Sequence, residues 1–216
     1  MTETEKTKPI SLGLFVMTVI YGGMTVIAGV LGFKQVALGP LAVEAGIFAF
    51  LMLVVLSSSI AQLYGRDQAN KMVLWGFVPL ALSVFLIFIV LGLPASDKMP
   101  PENLSAFETV LGQTPRIMAA GPVAYGVSLF LNVYIFDKLR GTGGEGSIWM
   151  MVRGGIASAI SQAIDSVIFI TLAFYGEFPI GPLLAGQILA KVVLSIILVP
   201  PLVFGMVKLA RKLDAR

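Results

Sequence analysis

Two ionisable side chains, Asp165 and Lys191, lie inside apolar segments and are the residues of this chain best suited to chemistry. Asp165 lies near the middle of RGGIASAISQAIDSVIFITLAF, and Lys191 lies about eight residues into the span that contains GPLLAGQILAKVVLSIILVPP. A charged group at the centre of a membrane helix costs about 2.5 to 3.5 kcal/mol on insertion scales, so it normally faces a cavity or a partner. The two residues therefore mark the first candidate for a binding site.

Polar residues recur at helical spacing around both groups. Residues three or four positions apart share one face of a helix, so the polar residues before Asp165 form a stripe. In antiparallel neighbouring spans, Asp165 and Lys191 would lie at depths that differ by only about 3 Å, at 1.5 Å per residue. An ion pair between the two helices is therefore allowed. The polar neighbours are Ser158, Ser161 and Gln162 before Asp165, and Gln187 and Ser195 around Lys191.

Two interpretations of the charged residues stay open. In the first, Asp165 and Lys191 are a neutralised pair that locks two helices together. In the second, they also line a substrate cavity. The surrounding cluster of donors and acceptors exceeds what one ion pair needs, and this favours the second interpretation.

Other polar and aromatic residues in apolar segments are weaker candidates. Ser58, within a run of three serines, can contact a ligand or bond to its own helix backbone. Asn132 is expected to bond across helices or to touch a ligand, and Tyr125 and Phe169 can stack on a planar ring. Glu44 is explained by the favourable position of a carboxylate at a helix N-terminus, without a functional role.

These residues belong to a strongly apolar chain. It is 57% hydrophobic and 12% charged, with a mean hydropathy of +0.92, whereas about a quarter of the residues are charged in soluble proteins. A membrane span needs about 20 apolar residues, so the length accommodates six spans without a separate soluble domain. The sequence predicts an all-α integral membrane protein with one transmembrane domain, 12–207, and spans near 12–33, 43–63, 72–93, 117–137, 154–175 and 183–207.

Basic residues are concentrated on alternate connections. Eleven Lys and Arg residues lie in the two tails and near the second and fourth loops, whereas three lie in the other loops. The positive-inside rule then places both termini, with the tails 1–11 and 208–216, in the cytoplasm of a bacterial-type inner membrane. This topology permits a 3+3 inverted repeat. The third loop, 94–116, would lie outside and could hold a short helix or a lid.

The residue types that the chain lacks exclude several classes of protein. The sequence has neither Cys nor His, which excludes thiol catalysis, disulfides and the usual zinc sites, so no metal or other cofactor is expected. Without a Walker motif or a basic stripe with interleaved aromatics, we expect neither ATP hydrolysis nor nucleic-acid binding. One acid, Asp165, without a second catalytic group does not make an enzyme. The expected partners are the lipid bilayer and a small molecule.

Four segments in order resemble one known family, the queuosine precursor transporters, also called vitamin uptake transporters. They are LYGRDQANKMV, AYGVSLFLNVYIFDKLR, SQAIDSVIFITLAFYG and AKVVLSIILVPP, within about 45–205. The resemblance implies six spans, cytoplasmic termini and import of 7-deazaguanine bases such as preQ0 and preQ1. It also implies that Asp165 and Lys191 match the family's buried acid and base. Ser58 and Gln62 stand where the family usually has charged residues, so another planar heterocycle remains an alternative substrate.

The predicted mechanism is alternating access. A planar base would hydrogen-bond to Asp165, Gln162 and Asn132, and would stack on Phe169 or Tyr125. Two other classes remain open: a substrate-binding membrane subunit of an energy-coupling vitamin importer, and a non-transporting structural subunit of a membrane complex. A homodimer is compatible with each of them. The candidate substrate-binding residues are Asp165, Lys191, Gln162, Asn132, Ser58, Ser158, Gln187, Phe169 and Tyr125.

Overall fold

The computed structural model describes residues 10–38, 41–112, 115–141, 147–176 and 179–215. Most of the predicted N-terminal tail, residues 1–9, and the last residue of the predicted C-terminal tail lie outside the described residues. In the described part of the chain, six helical segments are long and apolar enough to cross a membrane. The prediction of an α-helical membrane protein with six spans is therefore confirmed.

The six spans are built from seven helices, and an eighth helix lies between the third and fourth spans. Apolar runs of about 20 residues form helices in a membrane because the helix satisfies its backbone hydrogen bonds internally. The helices are α1 (Leu12–Gly32), α2 (Gly46–Tyr64), α3 (Arg66–Trp75), α4 (Phe77–Leu91), α5 (Pro101–Leu111), α6 (Pro115–Lys138), α7 (Ser147–Phe174) and α8 (Gly181–Asp214).

A β-hairpin, which the sequence did not predict, connects the first two spans. Strands β1 (Gln35–Leu38) and β2 (Leu41–Glu44) are antiparallel, and Gln35 is the partner of Glu44. The second span was predicted to start at 43, but residue 43 belongs to β2 and α2 begins at Gly46. The boundary was misplaced because the residues of β2 are almost as apolar as those of α2. The hairpin matters for the site because β2 packs against α8.

The third span is divided into α3 and α4 at Gly76. A Cβ atom at Gly76 would lie 2.6 Å from the Tyr125 hydroxyl and 2.6 Å from the Tyr21 ring, so only glycine lets the three elements approach so closely. The third loop contains α5, an 11-residue helix that begins with proline at its first position.

Helix α2 lies at the centre of the bundle, in contact with α1, α3, α6 and α8. Its residues from Leu53 to Ala61 are all buried, and the segment Ser57 to Ser59 brings three small side chains into this interior. Lipid is as apolar as leucine, so membrane helices associate through close packing of small residues and interhelical hydrogen bonds rather than through hydrophobic burial. Helix α4, by contrast, has no buried residue and presents apolar side chains outward.

The start of the first helix and the end of the last helix meet at one end of the bundle. The Asp214 carboxylate accepts hydrogen bonds from the Gly13 N–H at 2.6 Å and from the Tyr64 hydroxyl at 2.5 Å. These bonds tie the start of α1, the end of α2 and the end of α8 together. We call this the terminal end, and the opposite end, which carries β1 and β2, the hairpin end.

Candidate functional site

Asp165 of α7 and Lys191 of α8 form a buried ion pair. The Lys191 Nζ lies 3.0 Å from Asp165 Oδ2, and the side chains are 8% and 7% exposed. The Ser128 hydroxyl of α6 donates a hydrogen bond of 3.1 Å to the other carboxylate oxygen, Asp165 Oδ1. Three helices therefore meet at one carboxylate, and the ion pair that the depth comparison allowed is present.

Glu44 adds a third charge to this pair. It ends β2, which packs against α8, and it lies within electrostatic range of Lys191 and Asp165. Burial raises the pKa of the Glu44 carboxyl above 4.5, while the charge of Lys191 opposes that rise. When Glu44 is ionised, two carboxylates face one ammonium group, so the cluster carries a net charge of −1.

From its position at the start of the predicted second span, Glu44 was predicted to have only a structural role near a helix N-terminus. Glu44 is the last residue of β2 and lies directly before Ala45, the N-cap of α2, so it does stand near a helix N-terminus. The hairpin packs against α8 and brings the carboxylate within electrostatic range of Lys191, which is 147 positions away in the sequence. Only a prediction of the hairpin could have found this proximity.

Asn132 connects α6 to the serine run of α2. Its Nδ2 donates to the Ser57 hydroxyl at 3.2 Å and to the Ser58 hydroxyl at 3.0 Å. Ser57 also donates to its own helix, to the Val54 carbonyl at 3.0 Å. The Asn132 Oδ1 is buried and has no hydrogen-bond partner among the described residues. The amide thus bonds across helices, as predicted, and keeps one acceptor unused.

Several other buried polar atoms near the ion pair are also without partners. A buried donor or acceptor left unpaired costs about 1 to 3 kcal/mol, so such atoms call for an explanation, of which a ligand site is one. Within the described part of the chain, the predicted residues with unpaired buried atoms are Ser158 (Oγ), Gln162 (Nε2 and Oε1) and Gln187 (Oε1), together with Ser195 (Oγ).

The two predicted aromatic residues occupy different surroundings. The buried Tyr125 donates its hydroxyl proton to the Tyr21 hydroxyl at 2.8 Å and packs edge-on against Phe77 with ring centroids 4.9 Å apart. Phe169 is partly buried and packs edge-on against Phe174, with centroids 6.1 Å apart. Tyr125 is one turn from Ser128 on α6, whereas Phe169 is one turn from Asp165 on α7.

One face of α6 carries contacts at successive turns of the helix. Ser128 contacts Asp165, Asn132 contacts the α2 serines, and the Phe136 ring lies beneath the Arg153 guanidinium, 4.6 Å from its centroid. Four residues advance about 6 Å along a helix, so this face extends about 12 Å from the ion pair towards the terminal end. We call it the α6 track.

Arg153 is a site residue that the sequence did not reveal. It was counted among the cytoplasmic basic residues, but its side chain is buried, with 3% of the residue exposed. Its Nη2 donates to Gln62 Oε1 at 2.5 Å, and its Nε and Nη1 have no hydrogen-bond partner among the described residues. The difference arises because α7 begins at Ser147, well before the predicted start at 154. The described residues hold no group of three or more potential metal ligands.

The fold and this interior define a polytopic membrane protein whose polar core lies between helices, as in transporters. The family model described as "Putative vitamin uptake transporter" matches residues 44–205. A "Probable queuosine precursor transporter" of Bacillus subtilis (strain 168) is 30% identical over 170 residues, which cover 78% of this chain and 71% of the relative. No solved structure gives a significant match. The chain therefore belongs to the vitamin uptake, or queuosine precursor, transporter family, and the predicted resemblance is confirmed.

Proposed function

We propose that this protein imports a 7-deazaguanine base, such as preQ0 or preQ1, or a related planar heterocycle, across the inner membrane by alternating access. The terminal end faces the cytoplasm, because the chain's basic residues are concentrated there. The observation that carries the proposal is the buried Asp165–Lys191 pair amid unpaired amide and hydroxyl groups. The name of the Bacillus subtilis relative supports the substrate class.

The chemistry of the pair suits a heterocycle with adjacent N–H donors. A carboxylate accepts two hydrogen bonds from such an edge, as it does from a guanidinium. In the structure, Lys191 Nζ pairs with Asp165 Oδ2 at 3.0 Å. A bound base would compete with Lys191 for the carboxylate, and the Gln162 amide, with both polar atoms unused, offers a donor and an acceptor one turn away.

Other members of the proposed site have supporting roles. Asn132 would hold α6 against α2 through its Nδ2, while its Oδ1 accepts a hydrogen bond from the ligand. Ser58 would contact both Asn132 and the ligand. Gln187 and Ser158 extend the polar surface along α8 and α7. Tyr125 or Phe169 would stack on the ring; we favour Tyr125, because it lies on the α6 face that also bears Ser128.

Uptake of radiolabelled preQ1 and preQ0 by proteoliposomes that contain only this protein tests the proposal. We expect saturable uptake that Asp165→Asn reduces by at least an order of magnitude, because the variant loses the anionic acceptor. Ser166→Ala is the matched control on the same helix, since the Ser166 hydroxyl bonds to its own backbone at the Gln162 carbonyl. Binding without uptake would instead favour a subunit that depends on an energy-coupling partner, and neither binding nor uptake would refute the substrate class.

A further inference from the structure

Within the described part of the chain, Arg153 is a buried cation to which no carboxylate is bound. The residue is 3% exposed, and the one side-chain partner that its Nη2 contacts is the neutral amide oxygen of Gln62. Arg140 and Asp137 lie within electrostatic range, and their opposite charges offset each other. A buried charge without a counter-charge is costly, so an arginine in this position calls for a function beyond packing.

The guanidinium is positioned as a planar recognition group. Its Cζ lies over the Phe136 ring, 4.6 Å from the ring centroid, and its Nε and Nη1 have no hydrogen-bond partner among the described residues. Arginine N–H groups in a fixed fork are matched to planar acceptors such as carbonyl and carboxylate groups. The arrangement therefore presents unused in-plane donors.

The location of Arg153 connects it to the proposed substrate site. Phe136 is two turns beyond Ser128 on the α6 track, and Gln62 follows the α2 serines by about one turn. The distance along α6 from the ion pair is about 12 Å, on the side of the terminal end. A ligand that leaves the ion pair for the cytoplasm would pass Asn132 and then reach Arg153.

We infer that Arg153 and Phe136 form a second binding station, near the cytoplasmic end of the path, for the carbonyl edge of the transported heterocycle, which displaces Gln62 from the arginine. The inference rests on the proposed function. In the structure, Gln62 Oε1 occupies one guanidinium donor, and the carbonyl oxygen of the ligand takes its place when the terminal end opens. The first station uses the donor edge of the ligand at Asp165, and the second uses its acceptor edge.

The experiment measures equilibrium binding of two radiolabelled bases to the purified full-length protein. One base is preQ1, which has the ring carbonyl, and the other is its thiocarbonyl analogue, which keeps the ring N–H donors for Asp165 but accepts hydrogen bonds more weakly. For Arg153→Gln we expect the affinity for preQ1 to fall about tenfold or more, in line with loss of a hydrogen bond from a charged donor, and the affinity for the analogue to fall by a clearly smaller factor.

Gln62→Ala is the second variant, because it removes the competitor of the ligand and keeps the arginine. It is expected to bind preQ1 at least as tightly as the native protein, and the thermal unfolding midpoint of each variant checks its fold. Two results would overturn the second station: an equal loss of affinity for both bases in Arg153→Gln, or weaker preQ1 binding by a folded Gln62→Ala. Either would assign Arg153 a structural role and leave the proposed function unchanged. If the native protein binds neither base, the proposed function fails, and the station falls with it.

Discussion

The Asp165–Lys191 pair can be tested as a structural lock and as a substrate site in one set of variants. Lys191→Met would leave a carboxylate that is 7% exposed with the Ser128 hydroxyl as its remaining hydrogen-bond partner. Removing one partner of a buried ion pair typically costs about 3 to 5 kcal/mol. We expect a loss of this size in the free energy of unfolding, and a similar loss for Asp165→Leu, which strands the ammonium group.

The double variant Asp165→Leu/Lys191→Met removes both charges. Because well-packed apolar residues can replace a buried ion pair with little net cost, we expect it to unfold within about 1 to 2 kcal/mol of the native protein, giving a coupling energy of about 3 kcal/mol or more. The assay is denaturant unfolding in detergent micelles followed by circular dichroism. Ser166→Ala, whose hydroxyl bonds to its own helix, is the control and should lose about 1 kcal/mol or less.

Uptake then separates the two roles of the pair. If Asp165 and Lys191 also bind the substrate, the stable double variant will remain inactive in proteoliposomes. If they only lock α7 to α8, the double variant will regain uptake together with its stability. Additive losses in the free energy of unfolding would refute the reasoning at its first step, since they would show that the two residues are not energetically coupled.

Three further predictions concern other residues. Burial raises the pKa of Glu44 above 4.5, so the folded protein holds a proton there that the unfolded chain releases. Stability should therefore fall as the pH rises from 4.5 through the raised pKa. Glu44→Gln should remove this pH dependence of the thermal unfolding midpoint. Asn132→Leu leaves the two α2 serines without their donor and should cost about 1 to 3 kcal/mol in denaturant unfolding, with Ser166→Ala again as the control. Gly13→Ala would place a Cβ 2.7 Å from the Asp214 carboxylate and should lower the thermal unfolding midpoint and expose the terminal end to proteolysis, whereas Gly23→Ala, with open space around it, should not.

The span count and the central pair were accessible from the sequence because each depends on local information. Apolar runs of span length identify membrane helices directly. The depths of Asp165 and Lys191 follow from counting residues from a shared connection, and α7 and α8 are consecutive in the chain, so their contact needs no long-range prediction. The observed 3.0 Å ion pair agrees with that count.

Two residues of the interior were missed, Glu44 and Arg153. The position of Glu44 depends on the pairing of two strands, and that of Arg153 depends on where a helix begins. Glu44 approaches Lys191 because two short strands pair, and strands of four residues leave little signal beside an apolar helix. Arg153 was assigned to the cytoplasmic loop because the predicted span started at 154. In the structure, α7 begins seven residues earlier, at Ser147, and already contains Arg153. Helix boundaries are the least reliable part of a sequence prediction, and here that uncertainty moved a charge from the surface into the interior.

For Asn132, the sequence predicted a hydrogen bond to another helix but did not identify the residues that accept it. An amide in a membrane helix is expected to bond across helices, and it does so with Ser57 and Ser58. The sequence contained serines in four spans besides the one that holds Asn132, and nothing local indicated which of them faced α6. That choice follows from the central position of α2, which is a property of the assembled bundle.

The most direct test of the central claim is counterflow with proteoliposomes that contain only this protein, loaded with unlabelled preQ1 and diluted into radiolabelled preQ1. A carrier with one site that alternates between the two faces will accumulate label transiently above the outside concentration, and Asp165→Asn will abolish this overshoot. An overshoot that survives in Asp165→Asn would contradict the assignment of the site. Absence of an overshoot in the native protein, despite measurable preQ1 binding, would contradict transport by this chain alone.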